Sequence, residues 1–341
     1  METIIKKITD NEIENDKIIK TAAEIISRGG LVAFPTETVY GLGGDSFDPA
    51  AAEKIYAAKG RPSDNPLIVH ISEFEDIYKL SDEVPEIAKV LADKFWPGPL
   101  TMIVKKNKSV PVTVTGGLDT VAVRLPSHKV ARKLIKESGT FIAAPSANIS
   151  GRPSPTTAKH VIDDLDGRID MIIDDGSIEI GLESTIVDLT EDVPVILRPG
   201  YVTFEMLEET VGKVRLDKAF VEEKISEGKD VLLEIEIQGA LKIKEKFPSA
   251  VLIFITTKDA KTLKDRLTGR GTETEDVIEK RLNRAAEEAK GVEAYDYIVV
   301  NDILEDCVET VDRIIKSEHN RTSEKISVIE DIRKELSKHT V

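Results

Sequence analysis

The sequence has 341 residues, a formal net charge of −15 and 40% hydrophobic residues. This length is enough for two modest domains with separate cores, and the acidic balance argues against a nucleic-acid platform built on overall charge. The single cysteine, Cys307, excludes an internal disulfide and a zinc site with several thiolates. The start of the chain is charged and no stretch has the roughly 20 apolar residues of a membrane span, so we expect a cytoplasmic protein with no membrane partner.

Strand-like and helix-like segments alternate along the first two hundred residues, which predicts an α/β fold. Asp48 and Pro49 mark a helix start, because the carboxylate can cap the first turn and the proline ring fits within it. The predicted helices span residues 50–59, 129–137 and 157–165. The predicted strands span residues 31–34, 67–71, 100–104, 121–125, 141–143, 171–173, 184–189 and 195–197.

The character of the sequence changes after Pro199 and Gly200, where long and highly charged helical segments with few prolines begin. We place a boundary near Gly212 and divide the chain into domains over residues 1–212 and 213–317, followed by a tail over residues 318–341. The tail has helical spacing from Thr322. Beyond the boundary, the pattern predicts strands over 231–235, 251–255 and 297–300, and helices over 218–227, 241–247, 260–267, 275–289 and from Leu304 onward.

Hydroxyl groups and glycines follow the first strand in residues 35–44, which read PTETVYGLGG. We expect an irregular loop there that brings backbone amides and small donors against a ligand. A tight turn that requires glycine dihedrals is an equally good interpretation. The segment is not a Walker loop, and the pattern G-x-x-x-x-G-K-S/T occurs nowhere in the sequence.

Two cations, Lys59 and Arg61, leave the end of a predicted helix and enter a loop stiffened by prolines. Such a loop suits a polyphosphate site, although cations at a helix C-terminus also stabilise the helix dipole when they are simply solvated. The next strand carries His70, and a lone histidine in an apolar strand is more often a hydrogen-bonded core residue than a catalyst.

A third segment, residues 143–154, runs from an apolar strand into small polar residues. Ligands of α/β proteins usually bind at such strand ends, and a plain surface loop is the competing interpretation. Single polar residues also lie at or near other strand ends, and each of them is a weak signal alone. They are Arg124, Ser184, Thr185 and Arg198.

Taken together, several segments resemble the YrdC-like family of threonylcarbamoyl-AMP synthases over residues 15–212. They are FPTETVYGL at 34–42, KGRP at 59–62, PLIVH at 66–70, FWPGPLT at 95–101, VAVR at 121–124, PSANISG at 145–151 and RPG at 198–200. The resemblance implies a twisted mixed sheet with a concave, cationic face.

The resemblance also implies roles for single residues. The catalytic residues would be Lys59, Arg61, Ser146 and Asn148. The threonine contacts would be Thr36, His70, Arg124 and Ser184. The ATP contacts would be Lys59, Arg61, Ser63, Asn65, Thr120, Ala144, Ser146, Ser154 and Arg198. No metal held by protein ligands is expected.

The implied activity is a nucleotidyl transfer that makes L-threonylcarbamoyl-AMP from L-threonine, bicarbonate and ATP, with release of pyrophosphate. Such a transfer needs positioning and positive charge rather than a protein nucleophile. Mg²⁺ would accompany ATP. The product would pass to a tRNA-modifying threonylcarbamoyl transferase complex, and a weak contact with RNA is a further expectation.

Residues 218–316 resemble the later part of guanylate kinase, through EGKDVLLEI at 227–235, QGA at 238–240, FPSAV at 247–251, GRGT at 269–272 and VVND at 299–302. This implies a smaller α/β segment like part of a P-loop kinase. The cations that resemble that family's lid are Arg266, Arg270, Arg281 and Arg284. Because the segment lacks the P-loop, we do not expect guanylate kinase activity.

Three alternatives to the synthase remain. A non-catalytic module could hold nucleotides or RNA in the same cleft, although the presence of Lys59, Arg61, Ser146 and Asn148 favours an enzyme. A carbamoyltransferase of hydrogenase maturation would need cysteine-rich zinc modules that Cys307 alone cannot build. A synthase with added guanylate kinase activity would need the missing P-loop.

Overall fold

The computed structural model describes residues 2–178, 180–217, 225–226, 228, 230–233, 237–268, 279, 282–283, 285–286 and 289–338. The chain divides into two units, Met1–Glu234 and Ile235–Val341. The strands of the first unit are β1 (Ile4–Lys7), β2 (Val32–Pro35), β3 (Tyr40–Asp45), β4 (Ile68–His70), β5 (Leu100–Lys105), β6 (Thr120–Arg124), β7 (Ile142–Ala143), β8 (Met171–Asp174), β9 (Thr185–Asp188), β10 (Val195–Arg198) and β11 (Arg215–Leu216). Its helices are α1 (Glu12–Ser27), α2 (Pro49–Lys59), α3 (Glu86–Phe95), α4 (Lys129–Ser138), α5 (Ala158–Leu165) and α6 (Phe204–Val211), with a 3₁₀ helix at Phe74–Lys79.

These strands form one mixed sheet in the order β1-β8-β2-β3-β7-β4-β6-β5-β9-β10-β11. Parallel pairs such as β4 with β6 and β5 with β9 alternate with antiparallel pairs such as β5 with β6. The predicted α/β class with a mixed sheet is therefore confirmed.

Burial along the central strands shows that the two faces of the sheet differ. Val69, Val123 and Val187 point to one face and are fully buried, in cores that also contain residues of α2, α3, α5 and α6. On the other face, α1 and α4 cover β2, β7 and β8. Farther along this second face, Ala122 and Ile103 lie opposite each other and are only half-buried. This second face is therefore more open over the central strands, and it carries Arg124 and Thr101.

Residues 40–45 form strand β3, so the loop predicted over 35–44 is wrong for its second half. The glycines there are not needed for unusual dihedrals, because none of them has a positive φ. They are needed for close packing instead: a Cβ atom on Gly43 would lie 2.6 Å from Ile142 Cγ2 and 2.7 Å from Phe34 Cε1. Space between neighbouring strands, rather than turn geometry, explains this glycine.

The described part of the second unit contains helices α7 (Ile237–Lys246), α8 (Ala260–Thr268), α9 (Leu304–Glu318) and α10 (Thr322–Ser337), with β12 (Ile253–Thr256) parallel to β13 (Tyr297–Val300) and a 3₁₀ helix at Ala289–Ala294. Parallel strands are normally covered on both faces, yet Ile255, Ile298 and Val300 are each more than half exposed. Residues 231–233 lack regular structure, so the strand predicted at 231–235 is not seen there. Residues 234–235, most of the helices predicted at 218–227 and 275–289, and Arg270, Arg281 and Arg284 lie outside the described residues.

Among the helices that the structure describes, none is both long and apolar enough to cross a bilayer.

The glycine packing leads to a stability prediction. We expect Gly43→Ala to lower the free energy of unfolding by about 1–3 kcal/mol, because the added methyl group would overlap Ile142 and Phe34 in a closed core. Gly44→Ala is the matched control, since its Cβ would point to the opposite face and meet nothing closer than 3.1 Å. Urea unfolding followed by circular dichroism measures both changes, and equal losses for the two variants would contradict this account.

Candidate functional site

Lys59 lies at the end of α2, where Gly60 takes the left-handed conformation and ends the helix. Its side chain is 2% exposed, and its ammonium donates to the backbone oxygens of Ser146 and Asn148 and, at 3.1 Å, to Asn148 Oδ1. Burial, together with the nearby charge of Arg61, lowers the pKa of Lys59 to about 8, although Glu183 and Asp164 act in the opposite direction. Lys59 therefore fastens the end of α2 to the loop that follows β7.

Internal hydrogen bonds fix this loop in turn. Ser146 Oγ donates to Asn148 Oδ1 at 2.6 Å, and Asn148 Nδ2 donates to the backbone oxygen of Arg152 at 2.6 Å. The backbone N–H of Ser150 donates to the oxygen of Lys59 at 2.8 Å. The structure thus brings the predicted catalytic residues Lys59, Ser146 and Asn148 into direct contact.

Arg61 folds back onto its own loop. Its Nη2 donates to Asn65 Oδ1 at 2.5 Å and to the backbone oxygen of Pro66 at 3.1 Å, while its Nε is buried without a hydrogen-bond partner. Burial lowers the pKa of Arg61 from its ordinary value, opposed by the charges of Tyr56 and Glu183. Asn65 therefore holds Arg61, whereas Ser63 is exposed on the same loop.

Glu183 lies among these cations and was not predicted from the sequence. Its carboxylate pairs with Arg198 Nη1 and accepts a hydrogen bond from Ser154 Oγ at 2.7 Å. Its charge also raises the pKa of Lys59 and of Arg61. Burial raises the pKa of Glu183, but the positive charge of Arg198 and the other partners bring it below its ordinary value. One carboxylate therefore binds two of the predicted ATP contacts, Ser154 and Arg198, and influences the charge of two others, Lys59 and Arg61.

Arg198 connects this group to a second one. Its Nε and Nη2 donate to the backbone oxygen of Ser184 at 3.1 and 2.9 Å, and Ser184 Oγ lies 2.8 Å from Thr101 Oγ1. Thr101 is directly opposite Arg124 in the pairing of β5 with β6. The two sets of predicted contacts, for ATP and for threonine, thus meet at Ser184.

Arg124 is 4% exposed and makes a buried ion pair. Its Nη2 donates to Glu37 Oε1 at 2.7 Å and to Thr38 Oγ1 at 3.0 Å, while its Nε has no hydrogen-bond partner. Glu37 Oε2 also accepts from the backbone N–H of Ser127 at 3.1 Å. Burial raises the pKa of Glu37, and the charge of Arg124 lowers it below its ordinary value. Glu37 lies within the FPTETVYGL segment, and its pairing with Arg124 is not evident from the sequence.

His70 and Thr36 are buried next to this pair, and both side chains contact backbone oxygens. His70 lies beside Arg124 in the pairing of β4 with β6, its Nδ1 is 3.2 Å from the backbone oxygen of Ile68, and burial lowers its pKa to about 3. A neutral imidazole follows from that pKa at physiological pH. Thr36 Oγ1 donates to the backbone oxygen of Val39 at 2.6 Å and shapes the β2–β3 turn.

The remaining predicted contacts lie apart from these groups or are closed off. Thr120 is at the opposite end of β6 from Arg124, about 13 Å along the strand. There it borders a depression of about 610 Å³ with Lys105, Asp119 and Thr190. Ala144 is 3% exposed, and its backbone N–H donates to the oxygen of Ile68 at 2.8 Å.

The arrangement offers two kinds of binding chemistry. Lys59, Arg61 and Arg198 concentrate positive charge where a polyanion would gain most from it. Arg124 has a buried guanidinium whose Nε has no hydrogen-bond partner, and a guanidinium pairs well with a small carboxylate. Among the described residues, no group of three or more His, Cys, Asp or Glu side chains is placed to hold a metal ion.

Comparison with known proteins identifies both parts of the chain. A family model for guanylate kinase matches residues 216–318, and guanylate kinase from Bacillus cereus is 51% identical over 102 residues, which are 30% of this chain and 50% of that protein. The second unit is therefore guanylate kinase-like, as predicted.

The first unit matches proteins named threonylcarbamoyl-AMP synthase. The one from Pyrococcus abyssi is 55% identical over 217 residues, and the one from Bacillus subtilis is 52% identical over 212 residues. These alignments cover 64% and 62% of this chain. The chain spans 63% and 61% of the two relatives, less than two thirds of their length.

A solved structure supports the same assignment. The crystal structure of P. abyssi Sua5 complexed with L-threonine is 39% identical, with a TM-score of 0.62 and coverage of 88% of this chain and 92% of that one. The family model for Sua5, YciO and YrdC proteins, described as "Telomere recombination", matches residues 24–200, more than half of the chain. This protein therefore belongs to the Sua5/YciO/YrdC family.

Proposed function

We propose that this protein is an enzyme that makes L-threonylcarbamoyl-AMP from L-threonine, bicarbonate and ATP. The observation that carries the proposal is the meeting of a cationic group around Glu183 with a second, Arg124-centred group at Ser184. The names of the P. abyssi and B. subtilis relatives support the choice of product.

The reaction requires the protein to hold two anions, the carbamate of threonine and ATP, next to each other. Threonine's amine combines with bicarbonate to give a carbamate and water, and a carbamate oxygen then attacks the α-phosphorus of ATP. The bond from that phosphorus to the bridging oxygen breaks, and pyrophosphate leaves. The reaction is thus a nucleotidyl transfer. Arg61 and Arg198 would stabilise the charge that grows on the phosphates, and Lys59 would add its field while it holds the catalytic loop.

Arg124 is the expected partner of the threonine carboxylate. Its Nε is buried without a hydrogen-bond partner, and a charge-assisted hydrogen bond to the carboxylate would satisfy an N–H that now has none. Glu37 holds the other edge of the guanidinium and keeps it oriented. The L-threonine complex of P. abyssi Sua5 supports an amino-acid site in this family.

Mg²⁺ fits this site best as a metal carried by the nucleotide. Glu183 contributes one carboxylate to the cationic group, and Mg²⁺ commonly binds through substrate phosphates with few protein ligands. The bound ion would neutralise phosphate charge. The product would supply a tRNA-modifying threonylcarbamoyl transferase complex, in the reducing cytoplasm that the lone cysteine favours.

The substrate assignment predicts strict dependence on threonine. Purified protein with ATP, Mg²⁺ and bicarbonate should release pyrophosphate only when L-threonine is added, and a threonine-dependent AMP adduct should appear by mass spectrometry. Pyrophosphate release at the same rate without threonine would rule out this substrate.

Arg61→Ala should lower kcat/KM for ATP by roughly 100-fold, because the positive charge of a half-buried guanidinium is lost from the phosphate site. The matched control is Arg28→Ala, because the Arg28 side chain is 80% exposed and pairs with Glu24 across one helix turn. Steady-state pyrophosphate release measures both, alongside thermal melting. An Arg61→Ala protein with normal turnover would remove Arg61 from the phosphate site.

The pKa of Lys59 predicts that activity with ATP declines at alkaline pH. Lys59 carries its charge below about pH 8 and loses it as pH rises through that value, so kcat/KM for ATP should fall between pH 8 and 9.5. In Lys59→Arg, the guanidinium stays charged over this range, and the decline should move to higher pH. A wild-type profile that stays level to pH 9.5 would show that the charge of Lys59 does not matter for ATP.

A further inference from the structure

Glu183 is the acidic member of the cationic group, and it takes up donors that the proposed function assigns to ATP. Its Oε1 accepts from Ser154 Oγ at 2.7 Å, and its Oε2 pairs with Nη1 of Arg198. Both partners are predicted ATP contacts. Its charge also acts on Lys59 and Arg61, so both cations lie within electrostatic range of the carboxylate.

The environment keeps this carboxylate charged and accessible. Arg198, Ser154, Lys59 and Arg61 all favour its anionic form. Its side chain is 36% exposed, so it is not locked into a closed core. An ionised, partly exposed carboxylate can exchange these partners for water or for another group.

A carboxylate and a phosphate make the same kinds of contact, since both accept charge-assisted hydrogen bonds from Arg and hydroxyl groups. An ATP phosphate that reached Ser154 and Arg198 would find its donors occupied and would meet a like charge at close range. Both anions cannot hold these two donors in the same way.

We propose that Glu183 is a stand-in anion for an ATP phosphate: it holds Ser154 and Arg198 in place before a nucleotide binds and leaves them when a nucleotide phosphate arrives. The inference rests on the proposed function, because it uses the same ATP site. Before nucleotide binds, the carboxylate would limit repulsion among Lys59, Arg61 and Arg198. After the reaction, its return to Arg198 and Ser154 would help pyrophosphate to leave.

Glu183→Gln tests this inference by removing the competing charge while keeping the size of the side chain. Equilibrium binding of ATP and of inorganic pyrophosphate should become about tenfold tighter, and pyrophosphate should dissociate more slowly. The matched control is Glu191→Gln, which removes the same charge from an exposed pair with Arg215 and should leave both affinities unchanged. Each titration is made with and without Mg²⁺.

Two outcomes of these titrations would overturn the inference, and a third would count against the proposed function alone. Equal affinities in wild type and Glu183→Gln would show that Glu183 does not compete with phosphate. Weaker binding of the variant only in Mg²⁺ would make Glu183 a magnesium ligand instead. If wild type binds pyrophosphate but not ATP, the proposed function fails, while tighter pyrophosphate binding by the variant would still support a stand-in anion.

A structure of the wild-type protein with pyrophosphate tests the same point without a variant. Glu183 should have moved beyond hydrogen-bond distance of both Ser154 Oγ and Arg198 Nη1, and pyrophosphate oxygens should occupy those donors. Retention of both Glu183 contacts beside bound pyrophosphate would refute the inference, whatever the stability of the Glu183→Gln protein.

Discussion

The site depends on keeping several positive charges close together inside a folded chain. Burial lowers the pKa of Lys59, Arg61 and Arg198, which shows that each of them is held against a desolvation penalty. Two devices offset that penalty: backbone oxygens that surround the Lys59 ammonium, and the carboxylate of Glu183. Without these partners, mutual repulsion would favour separation of the cations, and the site would lose the field that attracts a polyanion.

The sheet sets the positions of these charges. Strand β4 is hydrogen-bonded to both β7 and β6, so the loop with Arg61, which leads into β4, and the loop with Ser146, which follows β7, adjoin neighbouring strands. The pairing of β5 with β6 and β9 aligns Arg124, Thr101 and Ser184 at one end of the sheet. The central strands leave this face partly uncovered at Ala122 and Ile103, whereas Arg124, Thr101 and Ser184 are themselves almost inaccessible to solvent. The order of the strands in the sheet thus determines where the charged side chains of the site lie.

Much of this could be predicted from the sequence, because apolar runs of strand length and the Asp48 cap are local signals. Strand β1 was missed because its four residues are all exposed at the sheet edge and lack a buried stripe. Strand β3 was missed because glycine is usually a turn signal. Gly43 is instead required by close packing against Phe34 and Ile142, which lie on other strands and give no local signal. Glu37 and Glu183 were overlooked as partners because an isolated acid has no signal until its cation is placed. Each adjoins a predicted ligand residue, Thr36 or Ser184, and that adjacency was the available clue.

Lys59 has a further consequence for how its role is interpreted. Its ammonium already contacts three oxygen atoms of the Ser146–Asn148 loop, and its side chain is almost inaccessible to solvent. Lys59 therefore has two roles. Its removal would loosen the Ser146–Asn148 loop and would also weaken the local positive potential. A kinetic loss on changing Lys59 combines these two effects, and only a substitution that keeps the charge but alters the shape could separate them.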